Sequence, residues 1–378
     1  MKPITILIGG DLAPTKSNFS YFVEGNIKAL IDEKLYPLLN SDDYRIFNLE
    51  VPLAETEKPI KKDGPNLIAP VLTINGIKAF NPTILGLANN HILDHDEQGL
   101  FQTMELLTNN GINYTGAGKN LENASKPIII EKDGLKIGVY ACAENEFSIA
   151  EDNKAGANPF DPLESLDHIT SLKSKCSFVI VLYHGGKEYY RYPSPYLQKV
   201  CRKMVRKGAD LVLCQHSHCI GAYENYDDGI IVYGQGNFLM DRRDNEFTST
   251  SLLVKASFGD KLSVDFVPIC KNGNGIALPE SDIKKTILDS FYERSKQILL
   301  PGVVEAQYDK YCATNGLYYL SAFAGFSKIL RRVNRLLKGA ITNQVYSLNK
   351  LNSLQNHIEC EAHRELILRY LKVKRNKN

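Results

Sequence analysis

Short apolar runs of β-like composition recur along the chain, and five of them end in polar clusters of one kind. Residues 4–8 lead to Asp11, 45–47 to Asn48 and Glu50, and 83–87 to Asn89, Asn90 and His91. Further on, 178–182 lead to His184, and 209–213 run into Cys214-Gln215-His216-Ser217-His218. Apolar positions at three- and four-residue spacing predict helices over 21–35, 96–109, 162–175 and 195–207. Asp133-Gly134 and Asp227-Asp228-Gly229 each separate two β-rich runs, which predicts hairpins over 128–141 and 222–233. Strands at 251–257 and 262–267 complete a sheet, and Lys271-Asn272-Gly273-Asn274-Gly275 reads as a linker. Beyond it the pattern is helical, over 281–299, 304–319, 323–338 and 351–373. The alternation of strands and helices predicts an α/β domain over residues 1–270, followed by a helical extension over 276–378.

In a parallel α/β sheet the loops at the carboxyl ends of the strands line the crevice where ligands bind, so clusters distant in sequence can converge there. A lone His-x-His is weak evidence of a metal site, but five clusters at the same local position make a constellation. Carboxylates bring charge, neutral imidazoles bring nitrogen donors, and an Asn carbonyl is a weaker oxygen donor, a set that suits a two-metal hydrolase. The eight cysteines are scattered with no Cys-x-x-Cys, so neither a zinc knuckle nor a disulfide framework is indicated. Buried thiols in a reducing compartment are the simplest reading.

The motifs Gly10-Asp11, Asn48-Leu49-Glu50, Ala88-Asn89-Asn90-His91 with Asp94, His184-Gly185-Gly186 with Glu188-Tyr189, His216-x-His218 and Gly236-Asn237-Phe238 resemble, in that order, those of the CapA family. The family is named for a capsule (poly-γ-glutamate) synthesis protein. The resemblance covers about residues 1–270 and implies a calcineurin-like metallophosphoesterase fold, a sheet sandwich flanked by helices. It implies that Asp11 and His218 serve one metal, that Asn90, His184 and His216 serve the other, and that Glu50 bridges them. The cofactor would be one or two divalent ions of manganese, iron or zinc. His91 would act as general acid or contact the substrate, with Asp94 orienting it through a carboxylate to imidazole hydrogen bond. Metallophosphoesterases proper begin Asp-x-His, whereas this chain has Asp11-Leu12-Ala13, so the first metal position lacks a nitrogen ligand. Asn48, Asn89, Glu188 and Asn237 stand in the same motifs and, with Lys187 and Arg191, are the candidate substrate contacts. Arg242 and Arg243 are further candidates for an anionic ligand, with solvated loop charge as the competing reading for each basic residue.

The formal net charge of +2 conceals an uneven distribution, because residues 328–378 hold 12 Lys and Arg against 3 Asp and Glu. The remainder is acidic and has no basic stripe interleaved with aromatics, which argues against a nucleic-acid partner. The expected partners are an anionic polymer or a phosphorylated precursor, and the capsule-synthesis machinery. Phe323, Phe326, Leu330, Val333 and Leu337 recur at helical spacing among Lys328, Arg331, Arg332, Arg335 and Lys338. That stripe either packs on the other C-terminal helices or docks on an anionic membrane or polymer. Residues 4–8 are too short for a signal-peptide core, and the chain reads as cytoplasmic, with peripheral contact at the inner face of the membrane as the alternative. Two functions of different class follow: a metal-dependent hydrolase, or a polymer-binding subunit of a capsule synthase that does little chemistry.

Overall fold

A computed structural model of the chain describes residues 2–240 and 245–375. Arg242 and Arg243 lie outside the described residues. The larger sheet contains β1 (Ile4–Ala13), β2 (Tyr44–Leu49), β3 (Ile84–Gly86), β4 (Asn113–Thr115), β13 (Asn237–Met240), β14 (Thr250–Phe258), β15 (Leu262–Asn272) and β16 (Gly275–Ala277). The smaller one contains β6 (Ile128–Lys132), β7 (Leu135–Ala143), β9 (Phe178–His184), β10 (Leu211–Gln215), β11 (Tyr223–Tyr226) and β12 (Gly229–Val232). Two short strands, β5 (Ala117–Gly118) and β8 (Gly156–Ala157), pair separately.

Period-two alternation decides how the sheets stack. Along β1, Ile4, Ile6 and Ile8 point into a core shared with Val139, Ile180, Leu182 and Leu213 of the smaller sheet, so the two sheets face each other as a sandwich. Leu7, between them, turns to the opposite face, where Phe22, Leu39, Ile77 and Leu100 of the flanking helices cover it. The smaller sheet's outer face is covered by Ser165–Lys173 and Pro195–Arg206, through Ile169, Leu172, Cys201 and Met204. The sheet sandwich flanked by helices expected from the resemblance is the observed architecture, and helices follow it as far as Arg375.

The order of β1, β2, β3 and β4 is parallel throughout, as is β7, β9, β10 and β12. All these strands therefore deliver their carboxyl-end loops to one rim. Close approach fixes β1 there, because a Cβ on Gly10 would sit 1.9 Å from the carbonyl oxygen of Gly236. Only glycine lets β1 pair with β13 after the irregularity between Ile8 and Asp11, which brings Asp11 beside both Asn48 and Asn237.

Several elements differ from expectation for local reasons. In place of the single helix over 21–35 there are two short ones, Phe19–Val23 and Ile27–Leu30, broken by Gly25 at φ +64 and ended by Ile31, which is extended and bridges Ile276; a further short helix, Tyr36–Ser41, follows. The stretch 271–275 turns a hairpin, with Gly273 at φ +56 between β15 and β16. Helix Ser281–Gln297 packs Phe291 against Ile220 and Leu252, and the first compact unit runs to Glu305. In the second unit, Ala306–Asn378, the helix over 323–338 starts only at Lys328, after Gly325 at φ +72, and the last long helix is two, Leu348–Glu359 and Glu361–Arg375. No helix among the described residues is long and apolar enough to cross a membrane.

Candidate metal centre

Register brings the strand ends together. Asp11 pairs with Asn48 across β1 and β2, and His184 pairs with Gln215 across β9 and β10, directly before His216. His216 and His218 both adopt left-handed backbone, φ 82 and φ 53, a conformation that costs about 1–3 kcal/mol at a residue with a side chain. Such strain persists only where the surroundings hold it. Here the amide of His216 donates to Asp11 Oδ2 at 3.3 Å and the carbonyl of Ser217 accepts from Tyr189 at 2.8 Å.

The resulting cluster has two overlapping groups, Asp11 with Glu50 and His184, and Glu50 with His216 and His218. Within each, the donor atoms lie within 4.8 Å of one another. Around His184 Nε2 stand Asn90 Oδ1 at 3.1 Å, His216 Nδ1 at 3.2 Å and Glu50 Oε1 at 3.5 Å. One ring nitrogen cannot satisfy three such neighbours by hydrogen bonding. Donors held about 2.1 Å from one cation are themselves about 3.0–3.4 Å apart, so this crowding has the spacing of a ligand shell. Glu50 sharpens the point: it is fully buried, and neither carboxylate oxygen makes a hydrogen bond. A buried carboxylate without such partners is costly, and a divalent cation among these donors removes the cost. The residues present therefore fit the expected ion.

On the other side, His218 Nδ1 meets Asn237 Oδ1 at 2.8 Å and Asp11 Oδ2 at 3.3 Å. Its Nε2 then faces Glu50 Oε1 at 3.9 Å, the orientation that an outer hydrogen bond imposes on a ligand imidazole. Ala13, where an Asp-x-His motif would supply another nitrogen, is buried in the apolar cluster beneath the larger sheet.

Electrostatics follow from the burial. Burial alone would raise the Asp11 carboxyl, but the His218 hydrogen bond, the charges of His184 and His218 and the Asn48 amide hold it well below the usual carboxylate range. Burial likewise lowers the His184 imidazole, yet Glu50 and Asp11 outweigh it and raise the value above that of an ordinary histidine. Burial together with the two neighbouring histidines pushes His216 down. Ligation uses the neutral imidazole, the form that burial favours at His216, whereas at His184 a cation competes with the proton that Glu50 and Asp11 favour.

Beside this cluster, His91 Nδ1 lies 2.6 Å from Asp94 Oδ2, which also accepts from the amide of Leu67 at 2.6 Å. Lys62 completes the group, ion-paired with Asp94, 3.3 Å from His91 Nδ1 and 3.4 Å from the carbonyl of Asn90. Its side chain is only 3 % exposed. With Nδ1 engaged, Nε2 is the ring nitrogen of His91 left to handle a proton.

The remaining candidates separate. Asn48 donates to Asp11 Oδ1 at 2.8 Å and approaches His184 Nδ1 at 3.2 Å, while Asn89 donates to Asn48 and to the Leu49 carbonyl and accepts from the His91 amide. Both amides are buried, and their hydrogen bonds go to Asp11, the Leu49 carbonyl, the His91 amide and each other. Asn237 orients His218 in the same way. Arg191 also departs from expectation, since its guanidinium donates to the carbonyls of Ile220 and Glu246 and lies over the ring of Phe247. Lys187 and Glu188 are half-buried in the loop that carries Tyr189, whose ring centroid is 6.1 Å from that of His218. Two residues were not visible from the sequence. Lys62 sits in Lys61-Lys62-Asp63-Gly64, which reads as solvated loop, and Glu144 accepts from the Gly186 amide at 3.1 Å with no motif to announce it.

Residues 5–242 match the family described as "Bacterial capsule synthesis protein PGA_cap", and the chain belongs to that family. The capsule biosynthesis protein CapA of Bacillus anthracis is 30% identical over 244 residues, covering 62% of this chain and 59% of that protein. The PGA biosynthesis protein CapA of Bacillus subtilis is 29% identical over 210 residues, covering 54% and 55%. The chain thus spans a little over half the length of each. Among solved structures, a putative 5'-nucleotidase from Staphylococcus aureus superposes with a TM-score of 0.44 at 14% identity, over 77% of this chain and 58% of that one. The Haemophilus influenzae NAD nucleotidase gives 0.43 at 13%, over 84% and 70%. Likeness this distant says nothing about a substrate.

Proposed function

We propose that the chain is a metal-dependent hydrolase of the phosphoesterase type, acting on a phosphoester or related bond in an anionic cell-surface polymer or its precursor. The observation that carries this reading is Glu50, a buried carboxylate without hydrogen bonds set between the imidazoles of His184 and His218. Asn90, His184 and His216 would hold one divalent ion, Asp11 and His218 a second, and Glu50 both. When bound, the ions supply Lewis acidity and lower the pKa of water. The chain's own residues do the rest. Asn48 and Asn237 fix Asp11 and His218, Asp94 orients His91, and His91 Nε2 delivers a proton to the leaving group. The names of the two Bacillus relatives support capsule synthesis as the setting.

Ala13 favours a second reading, a polymer-binding subunit of a capsule synthase, because the Asp11 side of the centre has one nitrogen donor fewer. Manganese- or zinc-loaded protein assayed against phosphomonoesters and phosphodiesters discriminates the two. Turnover that disappears in His184→Ala supports the hydrolase. A fully metallated protein inert on the whole panel but retaining an anionic polymer supports the subunit.

A further inference from the structure

The helix Lys328–Leu336 is attached to its neighbours by its polar side. Its buried Asn334 donates to Thr342 Oγ1 at 2.8 Å and accepts from the Thr342 amide at 3.1 Å. Arg331 and Arg335 lie over the ring of Tyr318, 5.9 and 6.0 Å from its centroid, and Arg331 also donates to the Phe326 carbonyl at 3.0 Å. At about 100° per residue, Ile329, Leu330, Val333 and Leu336 fall on one arc of the helix and the four basic residues on the other. Asn334 is the buried residue of the helix and Arg331 is half-buried, whereas Lys328, Arg332 and Arg335 stay exposed and the apolar arc is exposed with them. Ile329 is 75% exposed, Val333 41%, Leu336 83%, and Leu337, just past the helix end, 52%. Of the stripe read from the sequence, Phe323, Leu330, Val333 and Leu337 are exposed and Phe326 is half-buried, so most of it does not pack on the other C-terminal helices. Glu361–Arg375 exposes Leu366, Leu368 and Leu371 in the same way.

We propose that the apolar arc of Lys328–Leu336 docks on an anionic lipid bilayer. Charge selects this occupant. Residues 306–378 contain 13 Lys and Arg against 4 Asp and Glu, and the helix itself has no acidic residue. A second copy of the chain would bring the basic side chains against their own kind, whereas a bilayer surface offers apolar depth and negative headgroups together. Lys328 and Arg332, long side chains beside the apolar arc, reach the headgroups while Ile329, Val333 and Leu336 enter the interface. This inference stands apart from the hydrolase proposal, since it uses no residue of the metal centre.

The test is co-sedimentation of the full chain with phosphatidylcholine vesicles, with and without about one third phosphatidylglycerol. The expected result is binding to the anionic vesicles that weakens with salt, because surface charge is screened over about 8 Å at physiological ionic strength. The pair Ile329→Glu and Leu336→Glu should bind at least about tenfold more weakly. Lys328→Gln with Arg332→Gln should lose about fivefold per residue. The chain has no tryptophan, so Leu337→Trp introduces a lone reporter whose emission should shift to the blue on anionic vesicles. No binding by the unmodified chain, equal binding to neutral vesicles, unchanged binding by the glutamate pair, or unshifted emission from the Leu337→Trp variant each overturns the proposal. So does self-association of the unmodified chain that the glutamate pair abolishes, since a second copy would then be the occupant.

Discussion

Lys62 shows how one side chain can hold several functional ones. It neutralises Asp94, touches His91 and reaches the backbone of Asn90, all at a buried position. Lys62→Met leaves the Asp94 charge buried with a partner removed, which costs about 3–5 kcal/mol. Chemical denaturation should show that loss, and Asp94→Asn added to Lys62→Met should recover part of it; additive losses would mean the two do not act as a pair. His91→Ala has the opposite profile. It should keep its metal and its stability while activity falls by about 10²- to 10⁴-fold, the contribution of a positioned general acid. Wild-type turnover in the metallated variant would remove His91 from the chemistry. Sequence revealed His91 and Asp94 because they share a motif three residues apart, but Lys62 only becomes meaningful once its loop folds back across the site.

At the scale of elements, strand ends were legible because each apolar run stops at a polar cluster, and the period-two pattern set which face was buried. What the sequence left out was backbone geometry. Neither the left-handed turns at His216 and His218 nor the closeness of Gly10 to Gly236 has a compositional signature. Gly10→Ala should therefore do more than fill space: it pushes β1 from β13, costs about 3 kcal/mol, and displaces Asp11 from Asn237. Reduced metal occupancy together with a lower denaturation midpoint is the expected outcome, and a variant that matches the parent in both would contradict it.

A second element-scale link joins the sheets at their other end. Asp43 takes hydrogen bonds from Lys132 of β6 and, at 2.9 Å, from the Thr5 amide of β1. The Lys132 hydrogen bond, then the Thr5 amide, hold its carboxyl below the ordinary value. A carboxyl depressed on folding stabilises fully above its unfolded value of about 3.9, and that contribution is lost as pH falls through the folded value. Asp43→Asn should thus lower the denaturation midpoint near pH 6, and the gap to the parent should close as pH falls below the unfolded value of about 3.9 and through the lower folded one. A gap of constant size across that range would show that the ionised carboxyl does not matter.

For the whole molecule, the charge asymmetry read from the sequence corresponds to a real division of labour in side chains. The first unit gathers acidic and imidazole groups at one buried rim, while the second buries Asn334, lays Arg331 and Arg335 over Tyr318 and exposes apolar side chains. The inverted orientation of Lys328–Leu336 could not be read from periodicity, which gives the two faces of a helix but not which one its neighbours hold. The buried rim carries the central claim, that Asp11, Glu50, Asn90, His184, His216 and His218 form a metal centre. Elemental analysis of the purified chain after manganese or zinc loading tests this most directly, alongside the His184→Ala, His216→Ala double variant. The account expects one or two ions per chain, with any ion on the Asp11 and His218 side removed first by mild chelation, and loss of the tightly held ion in the double variant. A loaded parent without metal, or a double variant with unchanged stoichiometry, would contradict it.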